Sequence, residues 1–197
     1  MTPWRRRRER RLAALDDYRF RRRLVDEDLT VLGEQLAKLH VETLTDDLDR
    51  PTRADYEHAL AAYDRAKHGL AEAEQAQDAA ALDRVEAAVG DGRFHRACVL
   101  ARVQGAAPPV RREPCFFNPQ HLPAVADVPW TPPAGVERAV PVCPWCRERL
   151  AGGEPPDTRL VRIGDRHVAW WAAPRHRGVV AASLSPVAAD AVPPLMR

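Results

Sequence analysis

A chain of 197 residues is long enough for one domain, or for a small domain with an extended helical arm. Its formal net charge of +2 excludes a protein that is basic overall and leaves any basicity local. Hydrophobic residues make up 45% of the chain but aromatics only 6%, so helices form readily while material for one large core is limited.

No apolar run approaches the roughly 18–20 residues that a membrane-crossing helix needs. The arginines near the N-terminus lead into Leu12–Phe20 with Asp16 and Asp17 inside, so the apolar segment of a signal peptide does not follow them. These features predict a cytoplasmic protein with reduced thiols, and hence metal or free-thiol chemistry rather than a disulfide framework.

In chain order, residues 1–23 form a basic arm. Arg5–Arg8, Arg10, Arg11 and Arg21–Arg23 crowd it, with Trp4, Tyr18 and Phe20 between. Clustered arginines gain by releasing counterions from nucleic acid or another anionic surface. The plainer reading is the solvated start of a helix, with acid–base pairs on its faces.

Residues 24–105 read as a helical hairpin or small bundle. Val25, Leu29, Leu32, Leu36 and Leu39 fall on one stripe of a first helix. Asp49-Arg50-Pro51-Thr52 then breaks the pattern, with Thr52 as the expected N-cap of a second helix. That helix, residues 53–75, carries Tyr56, Leu60, Tyr63 and Leu70 on one stripe, with Ala59, Ala62, Ala66 and Gly69 alongside. Asp78 starts a third helix with Leu82, Val85 and Val89, which Gly90-Asp91-Gly92 is expected to end. A fourth, residues 93–103, carries Phe94, Cys98 and Leu100. Short connections join antiparallel neighbours. The heptad-like leucine steps are too few to require a long coiled coil.

Residues 106–171 form a Cys/Pro-rich module. The prolines from Pro108 to Pro133 exclude helix and central strand, leaving a linker or a loop region held by something other than backbone ladders. One β-hairpin is legible: Arg159–Ile163 and Arg166–Trp170 around Gly164-Asp165. Residues 172–197 lose all pattern and are expected to be a disordered tail. The fold class is therefore mainly α, with a small Cys-containing loop module behind the helices.

The module carries the chemistry. Cys143-Pro-Trp-Cys146 is a C-x-x-C knuckle, whose spacing lets two thiolates and nearby amides wrap one side of a tetrahedral ion. Cys115 and His121 supply a second pair, so the candidate metal ligands are Cys115, His121, Cys143 and Cys146, with zinc as the ion. Cys98 could replace His121, but among Val99 and Leu100 it reads better as a small buried hydrophobe. The bland alternatives are inert thiols in a small core and a loop histidine bonded to a carbonyl.

A redox role is a further alternative: Val140–Val142 read as a strand and Arg147–Leu150 as a helix start would put Cys143 at a helix N-terminus, where its pKa falls, and C-P-W-C is similar to the glutaredoxin active-site motif. A thioredoxin-like domain, however, needs more strands and helices after the motif than one hairpin and a tail supply. Trp130, Trp145, Trp170 and Trp171 read as the module's core more than as a recognition patch. No phosphate loop, nucleophile elbow, H-E-x-x-H or paired-carboxylate pattern is present.

The stretches C-F-F-N-P-Q-H at Cys115–His121 and A-G-G-E-P-P at Ala151–Pro156 make the chain resemble a family of actinobacterial proteins of uncharacterised function. The likeness spans about Asp28–Trp170. It implies a helical region followed by the cysteine/proline module, and it brings no activity. Relatives are expected to have glycine in place of Leu122 and often to lack the cysteine at Cys146. The expected function is a non-enzymatic scaffold or adaptor whose helices bind a protein partner or self-associate, with nucleic-acid association and thiol redox chemistry as the alternatives.

Overall fold

The computed structural model describes residues 3–44, 47–133 and 135–173. The expected tail lies almost wholly outside them. The chain divides into two compact units, Met1–Pro109 and Val110–Arg197.

The first unit is three helices: α1 (Pro3–Thr43), α2 (Arg50–Ala76) and α3 (Ala79–Val103). The Tyr18 hydroxyl donates to the Ala73 carbonyl at 2.8 Å, and His40 meets Tyr56 at 2.9 Å, so α1 and α2 run antiparallel. Arg21 reaches Asp83 and Glu86, and Arg93 reaches Asp28, so α1 and α3 run parallel. The predicted leucine stripe of α1 is buried, from Val25 to Leu39. It faces Leu82, Val85, Val89 and Val99 of α3.

Three expectations change in this unit. On α2 the buried face is Ala59, Ala62, Ala66, Leu70 and Ala73, whereas Leu60 is exposed and Tyr56 and Tyr63 only flank the core. Small side chains let the helices approach closely, so the larger residues are displaced to the rim. The N-cap of α2 is Asp49 rather than Thr52: its carboxylate accepts from the Thr52 amide at 2.9 Å, and Pro51 sits in the first turn, where no intrahelical donor is required.

Finally, α3 is one helix, not two. Gly90-Asp91-Gly92 continues it, because a Cβ at Gly92 would lie 2.9 Å from Leu32 Cδ2 and the glycine allows close contact with α1. Asp78 does cap α3, accepting from the Ala80 amide at 2.9 Å.

In the second unit, strands β1 (Ala126–Trp130) and β2 (Arg138–Val142) form an antiparallel ribbon, helix α4 (Pro144–Ala151) follows, and β3 (Leu160–Ile163) pairs with β4 (Arg166–Ala169). The second ribbon is the hairpin expected around Gly164, which has φ +64. Of the first, only Val140–Val142 is expected as strand from the sequence, and the prolines hide β1. In a two-stranded ribbon each strand keeps a free edge, and Pro129 and Pro141 are tolerated there. The Pro141 carbonyl accepts from the Phe116 amide at 2.8 Å, which ties the cysteine loop to β2.

Phe116, Phe117, Trp130 and Trp171 pack with ring centroids 5.0–5.5 Å apart, edge to face except for the tilted Phe116–Trp130 pair, and the Arg138 guanidinium lies over Phe116 and Trp130. Trp170 is buried under Arg159, and Trp145 alone of these tryptophans is largely exposed.

Candidate metal centre

One loop and one strand–helix junction deliver the predicted ligands. Val142 ends β2, and Cys143 is the N-cap of α4 with extended backbone; Pro144 supplies the first helical position. The Cys143 sulfur accepts from the Cys146 amide at 3.4 Å, and the Arg147 amide bonds the Cys143 carbonyl at 3.0 Å. The knuckle is thus wound by the helix start. Cys115 precedes Phe116, which is anchored on β2. Asn118 then folds the loop back: its side-chain oxygen accepts from the Gln120 amide at 3.0 Å and its carbonyl from the His121 amide at 3.2 Å.

This geometry brings all four predicted residues together. One ligand atom from each of Cys115, His121, Cys143 and Cys146 lies within 4.8 Å of every other, and the three cysteines are buried. His121 Nδ1 is 3.4 Å from the Cys143 sulfur and 3.6 Å from that of Cys146. On the far side of the ring, Nε2 is 3.0 Å from Asp157 Oδ2. A carboxylate there accepts a hydrogen bond from Nε2, which leaves Nδ1, facing the sulfurs, as the atom an ion would take in place of its proton.

The electrostatics fit a cation. In the metal-free cluster, hydrogen bonds from Cys143 and Cys146 hold the Cys115 thiol well below the usual thiol range, while contact with Cys115 and Cys143 pushes Cys146 above it. Burial works against a charged His121, yet hydrogen bonds to Cys115 and Cys143 outweigh it and raise the imidazole to about 10. Sulfur charge gathered in one place draws in positive charge, here a proton and otherwise an ion. The four residues could hold a metal ion.

Cys98 is buried in α3, in keeping with the reading as a small hydrophobe. His167 lies exposed on β4, and His176 is outside the described residues. Two features escaped the sequence reading. Asp157 sits 36 residues from His121 with no motif to link them. Asp55, His58 and His95 also converge, in the helical unit; D-x-x-H spacing was visible on α2, but its partner on α3 was not.

Fold and site together define a three-helix unit followed by a small Cys3His module. No protein-family model, curated protein or solved structure matches the chain. No helix among the described residues is long and apolar enough to cross a membrane.

Proposed function

We propose that Cys115, His121, Cys143 and Cys146 bind one structural zinc ion, and that the protein is a non-enzymatic scaffold or adaptor whose helices bind a protein partner or self-associate. The observation that carries the zinc reading is the donor spacing. A tetrahedral zinc with bonds of about 2.3 Å to sulfur and about 2.0–2.1 Å to nitrogen sets those atoms about 3.6 Å apart. The His121–Cys143 and His121–Cys146 separations are 3.4 and 3.6 Å. Three thiolates and an imidazole also suit zinc chemically.

Four protein donors close the coordination shell and leave no position for substrate, which favours a structural role over a catalytic one. A module this short has a small core, and a structural zinc supplies about 10–16 kcal/mol of apparent binding free energy. Free thiols ready for metal are in keeping with a reducing compartment such as the cytoplasm. On the partner reading, α1 leaves Trp4, Leu12 and Val41 exposed as single residues rather than as one patch, so that reading rests on the helical architecture.

The test is metal content of chelator-free protein beside a Cys146→Ser variant. One zinc per chain, lost in the variant together with the module's fold, is the expected result. A metal-free protein with an intact module would overturn it, and rapid alkylation of Cys143 at acid pH would then favour the redox alternative.

A second reading is favoured by the exposure of Arg5–Arg8, Arg10 and Arg11 on the first turns of α1. These could hold nucleic acid. Retention that falls with salt and disappears when the arm is deleted would identify that role.

A further inference from the structure

The helical unit carries a second set of metal-binding side chains, distinct in chemistry from the cysteine cluster. Asp55 and His58 are three residues apart on α2 and so share a face of it. His95 comes from α3, which runs antiparallel beside it. One oxygen of Asp55 and one ring nitrogen each of His58 and His95 lie within 4.8 Å of one another. The two imidazole rings are 4.9 Å apart between centroids and tilted by 40°.

The surroundings orient this set. Arg102 Nε donates to Asp55 Oδ2 at 3.2 Å, which fixes the carboxylate and leaves Oδ1 turned to the histidines. Oδ1 is 2.8 Å from His95 Nδ1. Two neighbouring ligands on an ion with bonds of about 2.1 Å lie about 3 Å apart, so this pair already has the spacing that a shared ion imposes once the proton between them leaves. His58 is exposed, and among the described residues its ring nitrogens have no hydrogen-bond partner; its ring only faces His95. A lone pair is therefore free to turn to an ion without breaking any bond. Asp55 and His95 are partly buried, so two of the three ligands are held in place before binding.

We propose that Asp55, His58 and His95 form a second, solvent-accessible site for a divalent transition-metal ion such as nickel, copper or zinc. Two imidazoles with a single carboxylate select this class over magnesium and calcium, which take oxygen ligands. Three protein donors leave positions open to water or to a donor from another molecule. The site holds no sulfur, so thiol oxidation, which would disable the cysteine cluster, leaves it untouched.

The test is a nickel titration by calorimetry on tag-free full-length chains: the unaltered protein, His58→Ala and Cys146→Ser. His58 is exposed, so its removal leaves the helices intact, which circular dichroism checks. The expected result is one equivalent of nickel fewer in His58→Ala than in the unaltered protein, with that equivalent retained in Cys146→Ser. Equal uptake by the unaltered chain and His58→Ala overturns the proposal, as does loss of all uptake in Cys146→Ser. The comparison does not depend on whether the cysteine cluster holds zinc, because each variant removes a ligand from one set only.

Discussion

Gly90 and Gly92 show how much a single position owes to its neighbours. Both lie inside α3, and both carry the usual helix-interior cost of glycine, about 0.5–1 kcal/mol relative to alanine. A Cβ at Gly90 meets nothing within 4 Å, so Gly90→Ala should stabilise the helical unit by about that amount. A Cβ at Gly92 meets Leu32 at 2.9 Å, and Leu32 is fully buried. Overpacking of about 1–3 kcal/mol should outweigh the gain in propensity, so Gly92→Ala should destabilise. Urea midpoints of the two variants decide it: equal shifts of the same sign would contradict the contact with α1.

At the scale of elements, α1 is two things in one helix. From Tyr18 onward it is anchored, by Tyr18 on Ala73, Arg21 on Asp83 and Glu86, and the buried leucines. Before Tyr18 no described side chain is buried. A free-standing helix of that length is marginal in water, and arginines four apart, such as Arg6 with Arg10 and Arg7 with Arg11, repel. The first turns are therefore extended by continuity with the packed part. Deleting residues 1–14 should change the stability of the helical unit by no more than about 0.5 kcal/mol while lowering its helical signal. A large drop in urea midpoint would mean that the arm contributes to the core. In the second unit the reverse holds: α4 spans only eight residues, and its first turn is capped by the Cys143 sulfur, which accepts from the Cys146 amide.

The whole molecule comprises two units with different sources of stability. The helices close their own core, whereas the module's core is a few residues around the cysteines and the Phe/Trp cluster. On the proposed zinc site, a strong chelator should alter the fluorescence of Trp130, Trp170 and Trp171 while most of the helical signal remains. Acid should act in the same direction. His121, raised to about 10, and Cys146, raised above the usual thiol range, both hold protons at neutral pH in the metal-free state. Protons and ion compete for the same atoms, so apparent zinc affinity should rise with pH and fall as pH is lowered. Zinc retained without change down to about pH 4 would argue against thiolate ligation.

Local physics accounts for what was legible without a structure. The leucine stripe of α1, the Asp78 cap, the Gly164 turn and the Cys143–Cys146 knuckle each depend on residues within one or two turns of each other, so spacing alone identifies them. Cys115 and His121 were the second pair that spacing offered, and the fold brings them to the knuckle. What the sequence could not reveal depends on contacts between distant segments. Proline density disguised β1 and the start of β2, because only the partner strand shows which edge is free. Glycines that read as a helix stop proved to be the place where α3 meets Leu32. The alanine face of α2, Asp157 behind His121, and His95 beside Asp55 and His58 all required the chain to be folded, because burial and ligand geometry are properties of space rather than of sequence separation.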